Sequence, residues 1–246
     1  IQNTWMDAKI GNIVVTPRNG KAIEINALWY NALKIMESFA NLYKEKELSK
    51  KYAELAKKCK ESFMKKFYNK KRKCFDDLVG DNSIRPNQLF AIGLHYPVVE
   101  PNSVEAKTAF ETVTKKLLTP YGLKTLAKGE KCYREIYEGD QIKRDMSYHQ
   151  GITWPWLLGI YSDSFLNIIS AEKNKTKKKE LEEQYSKFAQ NVEDTFYNEM
   201  YNRSTVGSIS ELYDSAKPYE AKGAFAQAWS VAEVFRIIEK RNKWES

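Results

Sequence analysis

Apolar residues recur along most of this chain at intervals of three and four positions. Ile25, Leu28, Trp29, Ala32, Met36, Phe39, Ala40 and Tyr43 follow the spacing that lines one face of an α-helix, and that face is expected to be buried. Leu48, Tyr52, Leu55, Cys59, Phe63 and Phe67 repeat the pattern, with lysines filling the other face. The two stretches predict an antiparallel helical hairpin joined near 46–49. Further helices are predicted at 87–94, 102–118, 150–169, 177–200 and 224–240. Leu181, Tyr185, Phe188, Val192, Phe196 and Met200 stripe the sixth helix, and Phe225, Ala228, Trp229, Ala232 and Phe235 stripe the seventh. No strand pattern of any length competes, so the chain reads as all-α and as one domain, 1–246.

Long polar connections separate these helices, at 75–86, 119–147 and 201–223. Loops of this length are uncommon in compact domains unless they carry function. They hold most of the Gly, with Arg85, Tyr121, Arg134 and Glu211 in or beside them.

The chain has 246 residues, 42% hydrophobic and 29% charged, an ordinary globular balance. No stretch approaches the roughly 20 apolar residues that span a bilayer, and no apolar signal segment opens the chain. Cys59, Cys74 and Cys132 form no paired motif, and with no signal segment they read as reduced thiols of a cytoplasmic protein. His95 and His149 have no ligand-like spacing to those cysteines, so no metal site is expected. The formal charge of +8 raises nucleic acid as a partner, but the excess is diffuse lysine over 44–73 and 173–179. Solvated helix faces account for both stretches, and neither nucleic acid nor membrane is expected as a partner.

The chemistry on offer is narrow. There is no nucleophile-elbow serine motif and no glycine loop to cradle phosphate. Carboxylates and aromatics remain, and these are the tools of sugar chemistry. Glycoside hydrolysis needs one protonated carboxyl to donate to the leaving oxygen and one carboxylate to activate water or attack carbon. Two segments set a carboxylate among aromatic and small residues, Thr4-Trp5-Met6-Asp7 and Gly207-Ser208-Ile209-Ser210-Glu211-Leu212-Tyr213-Asp214. By themselves neither is specific, because an Asp beside a Trp is most often a turn or helix cap and Ser-Glu in a loop is most often surface.

Residues 4–33, TWMDAKIGNIVVTPRNGKAIEINALWYNAL, resemble the signature of the bacterial and archaeal glycogen-debranching, or amylo-α-1,6-glucosidase, family. So do RPNQLFAI (85–92), LLTPYGLKTL (117–126), YHQGITWPWLLG (148–159), and GSISELYD with AQAWSVAEV (207–214 and 226–234). The motifs stand in the family's order and cover nearly the whole chain. The chain departs from the pattern at Lys124, at Met146-Ser147, at Tyr219 and at Ala221-Lys222, none of which is a carboxylate.

The resemblance implies an (α/α)6 toroid related in fold to the glucoamylases, here a partial toroid lacking its N-terminal helices. It implies an inverting hydrolase that frees glucose from α-1,6 branch points of glycogen or a branched maltooligosaccharide, with no cofactor. Carried over by position, Asp7 is the general acid and Glu211 the general base. Inversion sets the two carboxyl groups about 6.5–9.5 Å apart, and the acid needs burial against a neighbour such as Trp5.

For substrate contacts, the motifs nominate Trp5 as the stacking ring, with Arg85, Gln88, Tyr121, His149, Gln150 and Trp154 around it. Arg85 suits equally an ion pair that anchors its loop. Glu24 and Asn26 suit either helix capping or substrate contact, and Trp29 and Trp229 read as core. The N-terminal remainder of a longer enzyme is the expected protein partner. Two other readings stay open: another exo-acting α-glucosidase on the same fold, and a helical domain that binds glucan without cleaving it.

Overall fold

The computed structural model describes residues 2–203 and 206–245, the side chains of 244 and 245 excepted. Its helices are α1 (Ile23–Leu42), α2 (Lys46–Phe67), α3 (Phe90–Gly93), α4 (Val104–Leu117), α5 (Gln141–Tyr148), α6 (Leu157–Ala171), α7 (Lys175–Asn198) and α8 (Ala228–Glu245). A 3-10 turn (Pro86–Leu89) runs into α3, and a π-helical turn (Glu199–Arg203) closes α7.

Local chemistry sets several of these starts. Ser103, Asp140 and Asn174 cap α4, α5 and α7 by accepting the backbone N–H three residues on. Pro155 lies just ahead of α6, where a missing N–H costs no helical bond.

The helices form two layers. α1, α3, α6 and α8 pack side by side in one, and α2, α4 and α7 back them in the other. α6 sits at the middle and is apolar around most of its circumference, with Leu157, Leu158, Ile160, Tyr161, Phe165, Ile168 and Ile169 all buried. Its approach to α3 requires Gly93, because a Cβ there would stand 2.7 Å from Ser164 Oγ and 2.9 Å from the Ile160 carbonyl oxygen. α2 follows its predicted amphipathic pattern at its C-terminal end, burying Phe63 and Phe67 while its lysines face solvent.

Two expectations are corrected. The apolar stripe of α1 is not its buried face: Ile25, Leu28, Trp29, Met36, Phe39 and Tyr43 are exposed, and Ile23, Ala27, Tyr30, Leu33 and Ala40 make the core contacts. The helix carries apolar residues on two faces, and α2 and α3 cover only one. The same holds at the other end of the layer, where Phe225, Trp229 and Phe235 are exposed and Val234 and Ile237 are buried in α8. Trp29 and Trp229 are therefore not core residues here; Trp29 is 56% exposed.

The long connections also contain short strands, which the all-α reading omitted. β1 (Lys9–Ile10) pairs with β2 (Ile13–Val14), and β3 (Tyr68–Asn69) with β4 (Cys74–Phe75). β5 (Leu118–Thr119), β6 (Gly122–Lys124), β7 (Thr153–Trp154), β8 (Leu212–Tyr213) and β9 (Ala221–Lys222) form a five-stranded antiparallel sheet in that order. The fold is mostly helical, with this sheet where the connections meet. The predicted helix 150–169 starts only at Leu157, and α5 occupies a stretch expected to be loop. No helix among the described residues is long and apolar enough to cross a membrane.

Candidate active site

The long connections all lead into the N-terminal ends of the first layer: 2–22 into α1, 68–85 into α3, 118–156 into α6 and the segment after α7 into α8. The short ones, 43–45, 94–103 and 172–174, lie at the opposite end. The candidate residues are thus gathered at one end of the molecule by topology. The five-stranded sheet ties three of their segments together: Leu123 is opposite Trp154, Thr153 opposite Tyr213, and Leu212 opposite Lys222.

Trp5 is half-buried and held at both its polar and apolar edges. Its indole Nε1 donates to Asn87 Oδ1 at 2.9 Å. Its ring meets Trp156 (centroids 5.0 Å), His149 (5.2 Å) and Trp154 (5.7 Å) edge to face, the arrangement aromatic quadrupoles favour. Asn87 in turn donates to Asp77 Oδ1 at 2.8 Å.

Asp77 belongs to a buried charge cluster. It accepts Arg18 Nε at 2.7 Å and Nη2 at 3.1 Å, while Arg18 also bonds both oxygens of Glu24. Arg85 Nε lies 3.6 Å from Asp77, and the Arg85 Nη atoms donate to the carbonyls of Thr125 and His149 and to Gln150 Oε1. Two guanidinium groups and two carboxylates thus neutralise one another out of water, as buried charge requires.

His149 is buried under this cluster's field. Burial, then the positive charges of Arg85 and Arg18, depress its imidazole to a pKa of about 3, so it is a neutral ring at neutral pH. It stacks on Trp154 at 5.3 Å and 22°.

Glu211 is half-buried, one residue before β8. Its Oε1 accepts the Tyr148 hydroxyl and its Oε2 accepts the Ala224 backbone N–H at 2.9 Å. Burial, the bond to Glu211 and that carboxylate's charge hold the Tyr148 phenol above the usual tyrosine range; Tyr137 and Asp7 add to the effect. Asp7 itself is exposed, not packed beneath Trp5 as the acid role led us to expect. Beside Glu211 opens a cavity of about 660 Å³, lined also by Tyr137, Glu138, Arg144, Lys222 and the backbone at Gly223 and Ala224. A separate cavity of about 440 Å³, lined by Leu118, Leu158, Phe188 and Val192 among others, contains none of these residues.

Of the other nominated residues, Arg85, Gln88 and Gln150 are buried with polar atoms committed to protein partners. Gln88 accepts the Phe75 N–H and donates to the Arg85 carbonyl, and Gln150 donates to the Val15 carbonyl at 3.0 Å. Arg85 therefore anchors its loop. Glu24 pairs with Arg18, and Asn26 donates to the Ala22 carbonyl at 2.8 Å. Trp154 is buried, whereas Trp156, stacked on Trp229 at 4.9 Å, is half-buried. Tyr121 is buried too, stacked on Tyr213 at 4.6 Å and bonded by Arg203, with no ring contact to the Trp5 group among the described residues. Sequence reasoning missed Tyr148, Asn87, Asp77 and Arg18. Arg18, Asn87 and Tyr148 lie inside the quoted motifs, which marked the segments and not the roles, whereas Asp77 lies in the 75–86 connection and no motif marked it.

Among the described residues, no group of three or more His, Cys, Asp or Glu is arranged to hold a metal ion.

The chain belongs to the amylo-alpha-1,6-glucosidase family, whose profile matches residues 1–236. It is similar to the glycogen debranching enzyme of Saccharomyces cerevisiae, 27% identical over 66% of this chain and 13% of that protein. In fold it is similar to a sialidase structure (TM-score 0.65, 16% identity, 88% of this chain and 19% of that one). It is likewise similar to the family 15 glucoamylase from Hypocrea jecorina (TM-score 0.54, 16% identity, 99% and 45%). The chain thus spans less than half of each of these proteins.

Proposed function

We propose that this chain is part of an inverting glycoside hydrolase that releases glucose from α-1,6 branch points of glycogen or limit dextrin. In this reading Asp7 is the general acid and Glu211 the general base. The observation that carries it is the half-buried Glu211 carboxylate, which accepts the Tyr148 hydroxyl at the edge of the aromatic cluster around Trp5. Protonated Asp7 delivers its proton to the leaving glycosidic oxygen. Glu211 removes a proton from the water that attacks the anomeric carbon from the other side of the ring. Trp5, fixed by Asn87 and three rings, offers a flat apolar surface to the sugar next to the acid. Carboxylates and water suffice, so the step uses no cofactor.

The same reading makes the two layers an arc of an (α/α)6 toroid, with α1, α3, α6 and α8 inside and α2, α4 and α7 outside. Apolar faces left open at both ends of the inner layer, on α1 and α8, support this, because a closed ring would cover each of them. The covering helices would come from the N-terminal remainder of the enzyme, and they would also enclose Asp7.

The test is glucose release by the intact enzyme from a maltooligosaccharide bearing one α-1,6-linked glucosyl stub. We expect wild-type turnover and a loss of about 10³-fold or more in both Asp7→Asn and Glu211→Gln. Equal hydrolysis of an unbranched α-1,4 chain would convert the assignment to a general exo-acting α-glucosidase. Glucan binding with no glucose release would convert it to a non-catalytic module.

A further inference from the structure

We propose that Tyr148 and the Gly223-Ala224 backbone form a cradle that positions the Glu211 carboxylate. The inference rests on Glu211 acting as the base. It begins with strand register: Leu212 faces Lys222 and Tyr213 faces Ala221 across β8 and β9. Continuing that pairing outward by one step sets Glu211 beside Gly223. The backbone N–H of Glu211 donates to the Ala224 carbonyl at 2.8 Å, and the Ala224 N–H returns a bond to Glu211 Oε2 at 2.9 Å. One residue therefore holds both the main chain and the side chain of Glu211.

Gly223 makes that return bond sterically feasible. Its φ of +70° is left-handed, and a Cβ there would stand 2.3 Å from Glu211 Oε2 and 3.1 Å from Glu211 Cβ. Any side chain would push the carboxylate off the Ala224 N–H.

The opposite oxygen is fixed by Tyr148, whose own freedom is small. Its carbonyl accepts Trp154 Nε1 at 3.0 Å, and its ring packs on Trp154 (4.9 Å) and Tyr137 (5.7 Å). The two oxygens thus each accept one fixed donor, and each keeps a lone pair to receive a proton from water. Tyr148 is a positioning residue in this scheme and touches the reaction only through Glu211.

Two measurements test the cradle. In the intact enzyme, Tyr148→Phe should lower kcat about 10- to 100-fold, the worth of one hydrogen bond to a charged group, while KM changes less than about threefold. Gly223→Ala should lower kcat at least as much. Unchanged kcat in either variant, or a loss confined to KM, would overturn the proposal. The second readout is independent of turnover: ¹³C NMR of tyrosines labelled at Cζ, with the Tyr148 signal assigned by Tyr148→Phe. In the wild type that phenol should stay protonated where ordinary tyrosines ionise, and in Glu211→Gln it should ionise at lower pH. An unmoved titration in Glu211→Gln would overturn the cradle even in an active enzyme. A wild-type enzyme that frees no glucose would instead sink the functional reading, leaving the NMR titration to decide the cradle.

Discussion

Replacing Asp77 by Asn removes one charge from the buried cluster without changing its shape. Asp77 is 2% exposed, and Arg18, Glu24 and Arg85 beside it are at most 6% exposed. In the native cluster two guanidinium groups oppose two carboxylates. After the substitution Arg18 retains only Glu24, and Arg85 has no anionic neighbour within ion-pair distance. Breaking a buried pair in this way costs about 3–5 kcal/mol, because the remaining charge stays out of water. Against a typical total stability of about 5–15 kcal/mol, that is a large fraction.

Urea unfolding followed by far-UV circular dichroism, at pH 7 and in 0.05 and 0.5 M salt, measures the effect. The control is Glu100→Gln, which breaks the solvent-facing pair with Lys60 and should cost less than about 1 kcal/mol. The Asp77→Asn loss should be insensitive to salt, because the cluster is beyond the reach of mobile ions. A loss below about 1 kcal/mol, or one that shrinks with salt, would mean instead that the cluster is hydrated.

Other expectations concern acid stability and the open apolar faces. His149 titrates at about 3 in the fold and near 6.5 when unfolded, so between those values the unfolded chain binds more protons. The stability this contributes is complete above pH 6.5 and is lost as pH falls toward 3, by up to about 1.4 kcal/mol per pH unit. His149→Gln should flatten the slope of unfolding free energy against pH across that window, and an unchanged slope would contradict the assignment. The 246-residue chain alone should bind a hydrophobic dye and self-associate through the exposed stripes of α1 and α8. Trp29→Glu with Phe39→Glu should reduce both at constant helicity in sedimentation and dye titration; a dye-free monomer before substitution would contradict the prediction.

Much of the architecture was legible because helical periodicity is local. The hairpin of α1 and α2, and the helices α4, α6, α7 and α8, follow from apolar spacing that needs no tertiary information. What covers an apolar face is not local. Ile25, Leu28 and Trp29 form as regular a stripe as Ile23, Ala27 and Tyr30, and only the packing of α2 and α3 separates exposed from buried. The strands escaped because two or three residues are too few to display alternation. α5 escaped because Ile142, Met146 and Tyr148 are too few to mark a helical face in its otherwise polar eight residues.

The site divides in the same way. Motif resemblance singled out the segments holding Asp7, Trp5 and Glu211. The Tyr148–Glu211 bond spans 63 positions and the Trp5–Asn87 bond 82, and no feature of either partner's sequence neighbourhood announces the other. Arg85 and Gln150 looked like sugar ligands because polar residues in functional motifs serve structure and substrate alike. Their burial and protein partners appear only in three dimensions.

The central claim is that Asp7 and Glu211 work as an acid and a base on opposite sides of one glucosyl ring. It is tested most directly by the anomeric form of the glucose first released. Proton NMR, recorded before mutarotation, should follow the intact enzyme acting on a singly α-1,6-branched maltooligosaccharide. Attack by water from the Glu211 side yields β-glucose, and the account predicts that anomer in the first turnovers. Initial release of α-glucose would mean retention through a covalent intermediate and would contradict the roles assigned to both carboxylates.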